Sequence, residues 1–163
     1  MKLLMAPAIV FALAACDPVH DDRMAALGDE APNVGPGPFH RPGQPCTTCH
    51  DGKLGSPREF SVAGTIFKNE TGSEPAEGAT VTLTTADGAS FKKLTNSAGN
   101  FYFEPHEVTP RYPMKTEVSY GTITVKMDSL IGRAGACADC HTEPARATSP
   151  GHIFIPATEG GIP

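Results

Sequence analysis

The centre of the chain, residues 79–103, has a clear strand pattern and reads ATVTLTTADGASFKKLTNSAGNFYF. β-Branched and aromatic residues dominate three short runs here, and several of them alternate with polar residues. The three runs are Ala79–Thr85, Ser90–Thr95 and Asn100–Phe103. Turn-forming residues separate them, with Gly88 in the first gap and Gly99 in the second. The pattern therefore predicts consecutive antiparallel strands, and the alternate residues Phe101 and Phe103 should enter one core.

Strand-like segments continue on both sides of this centre. Phe60–Phe67 is rich in β-branched and aromatic residues, and Glu117–Met127 places apolar residues at mostly alternate positions. Gly121 interrupts the second segment as a bulge or a turn, so one long bent strand and two short strands fit equally well. No long helix is expected after the leader. The predicted fold is mainly β, a small antiparallel β-sandwich that covers residues 60–128 and is flanked by irregular segments.

Three parts of this region carry a family pattern. Residues 62–66 read VAGTI, residues 76–83 read AEGATVTL, and residues 95–103 read TNSAGNFYF. The series resembles the opening of prealbumin-like, carboxypeptidase-regulatory-like β-sandwich domains, with Val-x-Gly in the first strand, Gly-Ala-x-Val before the second and Thr-x-x-x-Gly-x-Phe before the fourth. The resemblance covers about residues 60–128 and is looser in its later part. It implies a two-sheet sandwich and brings no catalytic motif.

Four of the five cysteines form two Cys-x-x-Cys-His motifs outside the predicted sandwich. The motifs are Cys46-Thr47-Thr48-Cys49-His50 and Cys137-Ala138-Asp139-Cys140-His141. Both resemble the attachment signature of c-type cytochromes, in which two thiols bind the vinyl groups of one haem and the histidine binds its iron. Two copies predict two covalent haems, with His50 and His141 as the proximal ligands. The helical fold of small c-type cytochromes is absent, so the resemblance extends only to the motifs.

A zinc site is the main alternative use of these cysteines. Paired Cys-x-x-Cys knuckles bind zinc in ribbon folds, but the pairs usually lie closer in sequence than Cys49 and Cys137 do. Zinc ribbons also do not require the histidine that follows each pair. A thioredoxin-like dithiol would need a neighbouring βαβ pattern, and the sequence has none.

Each haem iron also needs a distal ligand or an open position. We expect the distal ligands of the haem irons to come from three histidines, ranked in the order His40, His152 and His106. His20 lies in a segment predicted to be coil, so we expect it to be exposed to solvent. Met24 is a further possible donor, whereas Met114 and Met127 occupy β-periodic positions and are predicted to be core residues.

The N-terminus has the features of an export signal. Residues 1–15 begin with Lys2 and continue with a mostly apolar run that is too short to span a membrane. Residues 13–16, LAAC, are similar to the lipobox of bacterial lipoproteins, which implies cleavage before Cys16 and lipidation of its thiol. The alternative is an ordinary signal peptidase site with an incidental Cys16.

The remaining segments flank the sandwich. Residues 16–39 mix acidic residues with Pro and Gly, so they are predicted to be a disordered tether with at most one helical turn at Met24–Leu27. Residues 40–59 form the first haem segment, and residues 129–163 form the second haem segment and the tail. In the tail, the apolar residues 152–155 could cover a haem face or pair with a sheet edge. Both haem segments can fold back, so the two haems are predicted to approach each other on one side.

Charge and composition reduce the number of possible functions. The formal net charge is −5, and the loss of Lys2 with the leader makes it about −6. The chain has no basic run, so nucleic-acid binding is not expected. The prediction is a lipid-anchored electron-transfer cytochrome of the bacterial cell envelope, on the inner or outer membrane, whose partners are redox proteins such as other cytochromes. A dihaem enzyme, a haem-based sensor with an open iron, or an interaction module stapled by haem are the alternatives, and an electron carrier is favoured over a catalyst.

Overall fold

A computed structural model describes residues 17–30, 32–53 and 55–156 of the chain. Within these residues the chain forms one α-helix, six β-strands and two short 3-10 turns. The helix and strands are α1 (Pro18–Ala26), β1 (Val62–Thr65), β2 (Thr80–Thr84), β3 (Ser90–Leu94), β4 (Asn100–Phe103), β5 (Lys115–Tyr120) and β6 (Ile123–Lys126). The 3-10 turns are Cys46–Thr48 and Cys137–Asp139, one in each Cys-x-x-Cys-His motif.

The strands form two antiparallel sheets that enclose the core. β1 pairs with β4 in a small sheet, and the larger sheet has the order β3-β2-β5-β6. Phe101 and Phe103 are each only 2% exposed and pack with apolar residues of both sheets. The predicted mainly β fold, a small antiparallel β-sandwich, is therefore confirmed.

The segment that the sequence left open, Glu117–Met127, contains two strands. β5 ends at Tyr120 and β6 begins at Ile123, with Gly121 between them at φ +59°. This left-handed backbone conformation suits glycine and closes the tight turn. Met114, just before β5, is wholly buried in the core, as predicted. Met127 follows β6 and is half-buried.

Two parts of the C-terminal segment bond to the second edge of β1 and to the residues that follow this strand. The Ala63 nitrogen donates to the Gly135 oxygen at 2.9 Å. Further along, the Phe67 nitrogen donates to Ile153 at 2.9 Å, and the Ile155 nitrogen donates to Phe67 at 2.8 Å. Of the two roles open to residues 152–155, the structure thus supports pairing with a sheet edge. Residues 137–152 form a loop between these two attachments, and this loop contains the second motif.

The prediction of at most one helical turn before the first motif is wrong, because α1 is nine residues long. The side chain of Asp17 caps the helix by accepting from the His20 nitrogen at 3.2 Å, and Pro18 occupies a first-turn position that tolerates proline. The prolines and glycines that suggested coil lie mainly at residues 32–38, after the helix. Arg41 then holds its C-terminal end by donating to the Gly28 carbonyl at 2.7 Å.

Cys16 and the leader, residues 1–15, lie outside the described residues. None of the helices in the described ranges has the length and apolar character that a membrane crossing requires.

Candidate functional site

The two Cys-x-x-Cys-His motifs fold in the same way. In the first, the amide nitrogens of Cys49 and His50 donate to the Cys46 carbonyl at 3.3 and 3.0 Å. The corresponding distances in the second motif are 3.2 and 3.0 Å. Different residues lie between the cysteines and around each motif, yet both form one 3-10 turn that brings the two thiols and the histidine together.

The histidine of each motif is held by a backbone carbonyl. Nδ1 of His50 lies 2.8 Å from the Arg58 oxygen, and Nδ1 of His141 lies 3.0 Å from the Gly151 oxygen. A carbonyl only accepts, so Nδ1 must carry the proton and Nε2 keeps its lone pair. Burial lowers the pKa of both histidines and outweighs the opposing effect of these hydrogen bonds. Both imidazoles are thus neutral near pH 7, with Nε2 ready to bind a metal.

The first thiol of each motif is half-buried and protonated. Burial raises the pKa of Cys46 to about 11. Burial also raises the pKa of Cys137 to about 12, and the neighbouring Cys46 adds to this rise. Catalytic Cys-x-x-Cys dithiols need the opposite, a first cysteine with a lowered pKa. The raised pKa values of these thiols disfavour a role in dithiol redox chemistry.

Both motifs meet at β1. Gly64 lies against the second motif, since a Cβ at this position would be 2.8 Å from Cβ and 2.9 Å from Sγ of Cys137. The next residue, Thr65, binds the first motif's segment through a hydrogen bond to its Oγ1 from the Gly43 nitrogen at 2.8 Å. The effect of Cys46 on the pKa of Cys137 agrees with this proximity.

A buried polar pair positions the chain that enters the first motif. Thr65 Oγ1 donates to Asn100 Oδ1 at 2.7 Å, and the two residues are 5% and 6% exposed. Nδ2 of Asn100 then donates to the carbonyls of His40 and Pro38 at 3.0 and 3.3 Å. Neither residue was predicted from the sequence as part of a site, because a Thr and an Asn in strands look like ordinary surface positions until their cross-strand neighbours are known.

Aromatic stacking fixes the plane of the His50 ring. The Phe60 ring stacks on the His50 ring, with the ring centroids 4.0 Å apart. The Tyr102 ring stacks in turn on Phe60, with the centroids 4.5 Å apart. The Arg58 guanidinium lies 5.2 Å from the Tyr102 centroid and is paired with Glu104. The imidazole is thereby held by packing as well as by its hydrogen bond.

His40, the first-ranked distal candidate, lies next to the proximal histidine of the first motif. The ring centroids of His40 and His50 are 5.9 Å apart, with an angle of 64° between the planes. Two imidazoles that share one metal ion have centroids roughly 6 Å apart, since each metal–nitrogen bond is about 2 Å long. Nδ1 of His40 faces Glu30 Oε1 at 3.2 Å. The distance between the His40 and His50 rings therefore fits two imidazoles that bind one metal ion.

The other two ranked histidines are placed differently. The His152 ring packs against Phe67, with the ring centroids 4.7 Å apart. It also lies close to Gly43 and Gly72, because a Cβ atom added to either glycine would contact the His152 ring. It is therefore close to the segment that leads into the first motif. His106 lies on the surface, 75% exposed, with Nδ1 3.4 Å from a carboxylate oxygen of Glu104.

His20, which we expected to be exposed, is buried. It is only 8% exposed, and its Nδ1 lies 3.5 Å from Asp51 Oδ2, one residue after His50. Nε2 of His20 is also buried and has no hydrogen-bond partner among the described residues. The expectation of a solvent-exposed histidine is wrong because α1 packs on the first motif. The spacing of His20, Met24 and Leu27 could have revealed this inward helix face.

In the described part of the chain, no three or more His, Cys, Asp or Glu side chains converge as ligands of a single metal ion. Comparisons with family models, curated proteins and solved structures found no match to this chain.

Proposed function

We propose that this protein is a membrane-anchored c-type cytochrome that binds two haems covalently and transfers electrons. One observation carries the proposal. Each motif forms the same turn, and the Nδ1–H of its histidine donates to a backbone carbonyl. The Nε2 atom of the neutral ring therefore keeps its lone pair. Metal-binding histidines use this arrangement, in which the second nitrogen fixes the ring and its tautomer.

The residues of the two motifs fit such a group. The thioether positions are Cys46 and Cys49 for the first haem, and Cys137 and Cys140 for the second. His50 and His141 would hold the two irons as proximal ligands, and His40 would serve as the second ligand of the first iron. Haem iron, when bound, accepts and releases one electron at a time. The polypeptide holds the two imidazoles neutral and in fixed orientations, on loops that are attached to one strand.

The exposure of the site supports electron exchange with other proteins. Cys140 is exposed, and residues 46–50 are half-buried, so partners can approach both motifs. The acidic net charge of the chain favours neutral or basic docking surfaces on redox partners such as other cytochromes. Lipidation of Cys16 would confine the protein to a membrane of the bacterial cell envelope.

Haem content tests the proposal directly. Purified wild-type protein should contain two irons per chain, and its haem should remain attached after acidified organic extraction. Replacing both Cys46 and Cys49 by Ala should remove one haem and leave the other. Thr47→Ala, in the same turn, is the matched control and should retain both. Bound zinc without haem absorption would refute the cytochrome assignment.

The spin state of the iron separates an electron carrier from the alternatives. Two six-coordinate, low-spin irons would support electron transfer. High-spin iron in the wild-type protein that binds carbon monoxide would instead favour a dihaem enzyme or a haem-based sensor.

A further inference from the structure

A carboxylate lies beside the ring of His40, the histidine next to the proximal ligand of the first motif. Oε1 of Glu30 is 3.2 Å from Nδ1 of His40, but the two atoms are not aligned as a hydrogen bond. Nδ1 of His40 and Oε2 of Glu30 are both cut off from solvent, and neither has a hydrogen-bond partner among the described residues. Buried polar atoms are normally paired, and these two belong to side chains that already touch.

The two unpaired atoms are complementary as a donor and an acceptor. A carboxylate oxygen only accepts, so a neutral His40 ring that bonds to Glu30 carries its proton on Nδ1. The ring of a histidine turns easily about its Cβ–Cγ bond, because this torsion has broad minima. A small rotation of the His40 ring would join the two side chains in one hydrogen bond and leave the Nε2 lone pair for a metal ion.

Arg41 fixes the position of the Glu30 carboxylate. Nε of Arg41 donates to Oε1 of Glu30 at 3.1 Å. The rest of the guanidinium donates to the carbonyls of Leu27 and Gly28 at 3.3 and 2.7 Å, and to the side chain of Gln44 at 2.9 Å. The carboxylate is therefore held in a network that also fixes the end of α1.

His40 itself is held next to the first motif. Its ring centroid lies 5.9 Å from that of His50, and its backbone carbonyl accepts from Nδ2 of Asn100 at 3.0 Å. The two imidazoles have different neighbours, because Nδ1 of His50 is bound to the neutral carbonyl of Arg58. A carboxylate carries a negative charge, so it forms a stronger hydrogen bond than a carbonyl and makes the imidazole a stronger ligand.

We infer that Glu30 is the positioning residue of His40. Its carboxylate accepts the Nδ1 proton, orients the ring and strengthens His40 as a ligand of the first haem iron. This inference rests on the proposed haem attachment and adds a residue outside both motifs. A negative charge behind a ligand stabilises ferric iron more than ferrous iron, since ferric iron has the larger positive charge. Glu30 should therefore lower the reduction potential of the first haem.

Glu30→Gln in full-length, haem-loaded protein tests this role. The amide keeps an acceptor oxygen for Arg41 and His40 but carries no charge. Redox titration followed by absorption should show a higher potential at one haem and no change at the other, without a change of spin state. Glu77→Gln, which removes the same charge at an exposed position, is the matched control and should change neither potential. A role in folding alone would not raise the potential of one haem selectively.

A second substitution shows whether Glu30 acts through His40. In a His40→Ala background, Glu30→Gln should change the potentials no more than Glu77→Gln does. A shift as large as the one in the wild-type background would mean that the charge acts on the haem directly, and it would overturn the positioning role.

Backgrounds that contain a single haem identify the iron that responds. With Cys137 and Cys140 replaced by Ala, Glu30→Gln should raise the potential of the remaining haem. With Cys46 and Cys49 replaced instead, it should have no effect. The reverse pattern would overturn the assignment to the first haem.

The wild-type protein provides a measurement that does not depend on the folding of a variant. In the six-coordinate ferrous state, which is diamagnetic, proton NMR should show the Nδ1 proton of His40 at the low field typical of a hydrogen bond to a carboxylate. This proton should exchange slowly with water, and rapid exchange would overturn the inference.

The possible failures can be told apart. Wild-type protein without covalent haem would refute the proposed function itself. Wild-type protein with two haems, together with equal potentials in Glu30→Gln and Glu77→Gln, would refute only the role of Glu30.

Discussion

Gly64→Ala tests whether the close approach of β1 to the second motif determines how that motif is held. A Cβ at this position would be 2.8 and 2.9 Å from the Cβ and Sγ of Cys137, and 3.1 Å from a ring carbon of Phe101. Carbon atoms in favourable contact are about 3.5–4.0 Å apart, so Cys137 would have to move by roughly 0.5–1 Å. Forcing one extra carbon into a packed site costs about 1–3 kcal/mol.

Gly132→Ala is the matched control, because a Cβ at Gly132 would meet nothing within 4 Å. The backbone of neither glycine is left-handed, so the backbone conformation permits Ala at both positions, whereas only Gly64 is buried in a strand and crowded. The control should be as stable as the wild type or more stable by about 0.4–1 kcal/mol, since Ala restricts the unfolded chain. Gly64→Ala should instead lower the free energy of unfolding by about 1–3 kcal/mol.

Urea unfolding of the two variants measures this difference. Thermal unfolding should agree, since each kcal/mol shifts the midpoint by about 2–4 °C in a protein of this size. The spectrum of the second haem should change more than that of the first, because only Cys137 is displaced. Equal stability of Gly64→Ala and Gly132→Ala, with both haem spectra unchanged, would refute the idea that β1 positions the second motif by direct contact.

Four further predictions concern the first motif, the proximal histidines, the anchor and the haem pair. Asn100→Ala removes the buried partner of Thr65 and should cost about 1–3 kcal/mol in urea unfolding, while Ser97→Ala, at an exposed turn position, should cost little. In protein prepared without haem, burial lowers the pKa of the His50 and His141 imidazoles, so the unfolded chain binds more protons below about pH 6.5, and the free energy of unfolding should fall from pH 7 to pH 5. A flat profile in urea titrations would contradict the neutral buried imidazoles. Cys16→Ala should yield uncleaved precursor or haem-loaded protein without a lipid, and a wild-type mass without acyl chains would exclude lipidation. The ferric irons should show spin coupling or a split Soret circular dichroism band, whereas two magnetically isolated irons would mean that the haems are far apart.

The strands were predictable because their signal is local. Phe101 and Phe103 alternate with polar residues, and this period of two defines one buried face without any knowledge of the partner strand. Gly121 shows the limit of that signal. A glycine within an alternating run is consistent with a bulge or a turn, and only its backbone conformation, φ +59°, distinguishes them.

The helix α1 was not predictable in the same way. Its sequence is polar with few apolar residues, and the prolines that follow it suggest coil. Contacts distant in sequence stabilise it, above all the hydrogen bonds from Arg41 to the carbonyls at its C-terminal end. A short helix of this kind is marginal alone and depends on such tertiary contacts, so His20 looked exposed when judged from its own segment.

The two motifs are local patterns and were visible in the sequence. Their shared contact with β1 was not, because it depends on how the sheet is assembled. β4 pairs with only one edge of β1, and the C-terminal segment bonds to the other edge at Ala63 and to Phe67, two residues after the strand ends. The first motif's segment binds the same strand at Thr65. β1 has four residues, and a strand rises about 3.3 Å per residue. Both motifs therefore contact a strand that is only about 13 Å long. The separation of two haems attached there would be fixed by a rigid strand and not by the flexibility of the loops, which favours direct electron exchange between them.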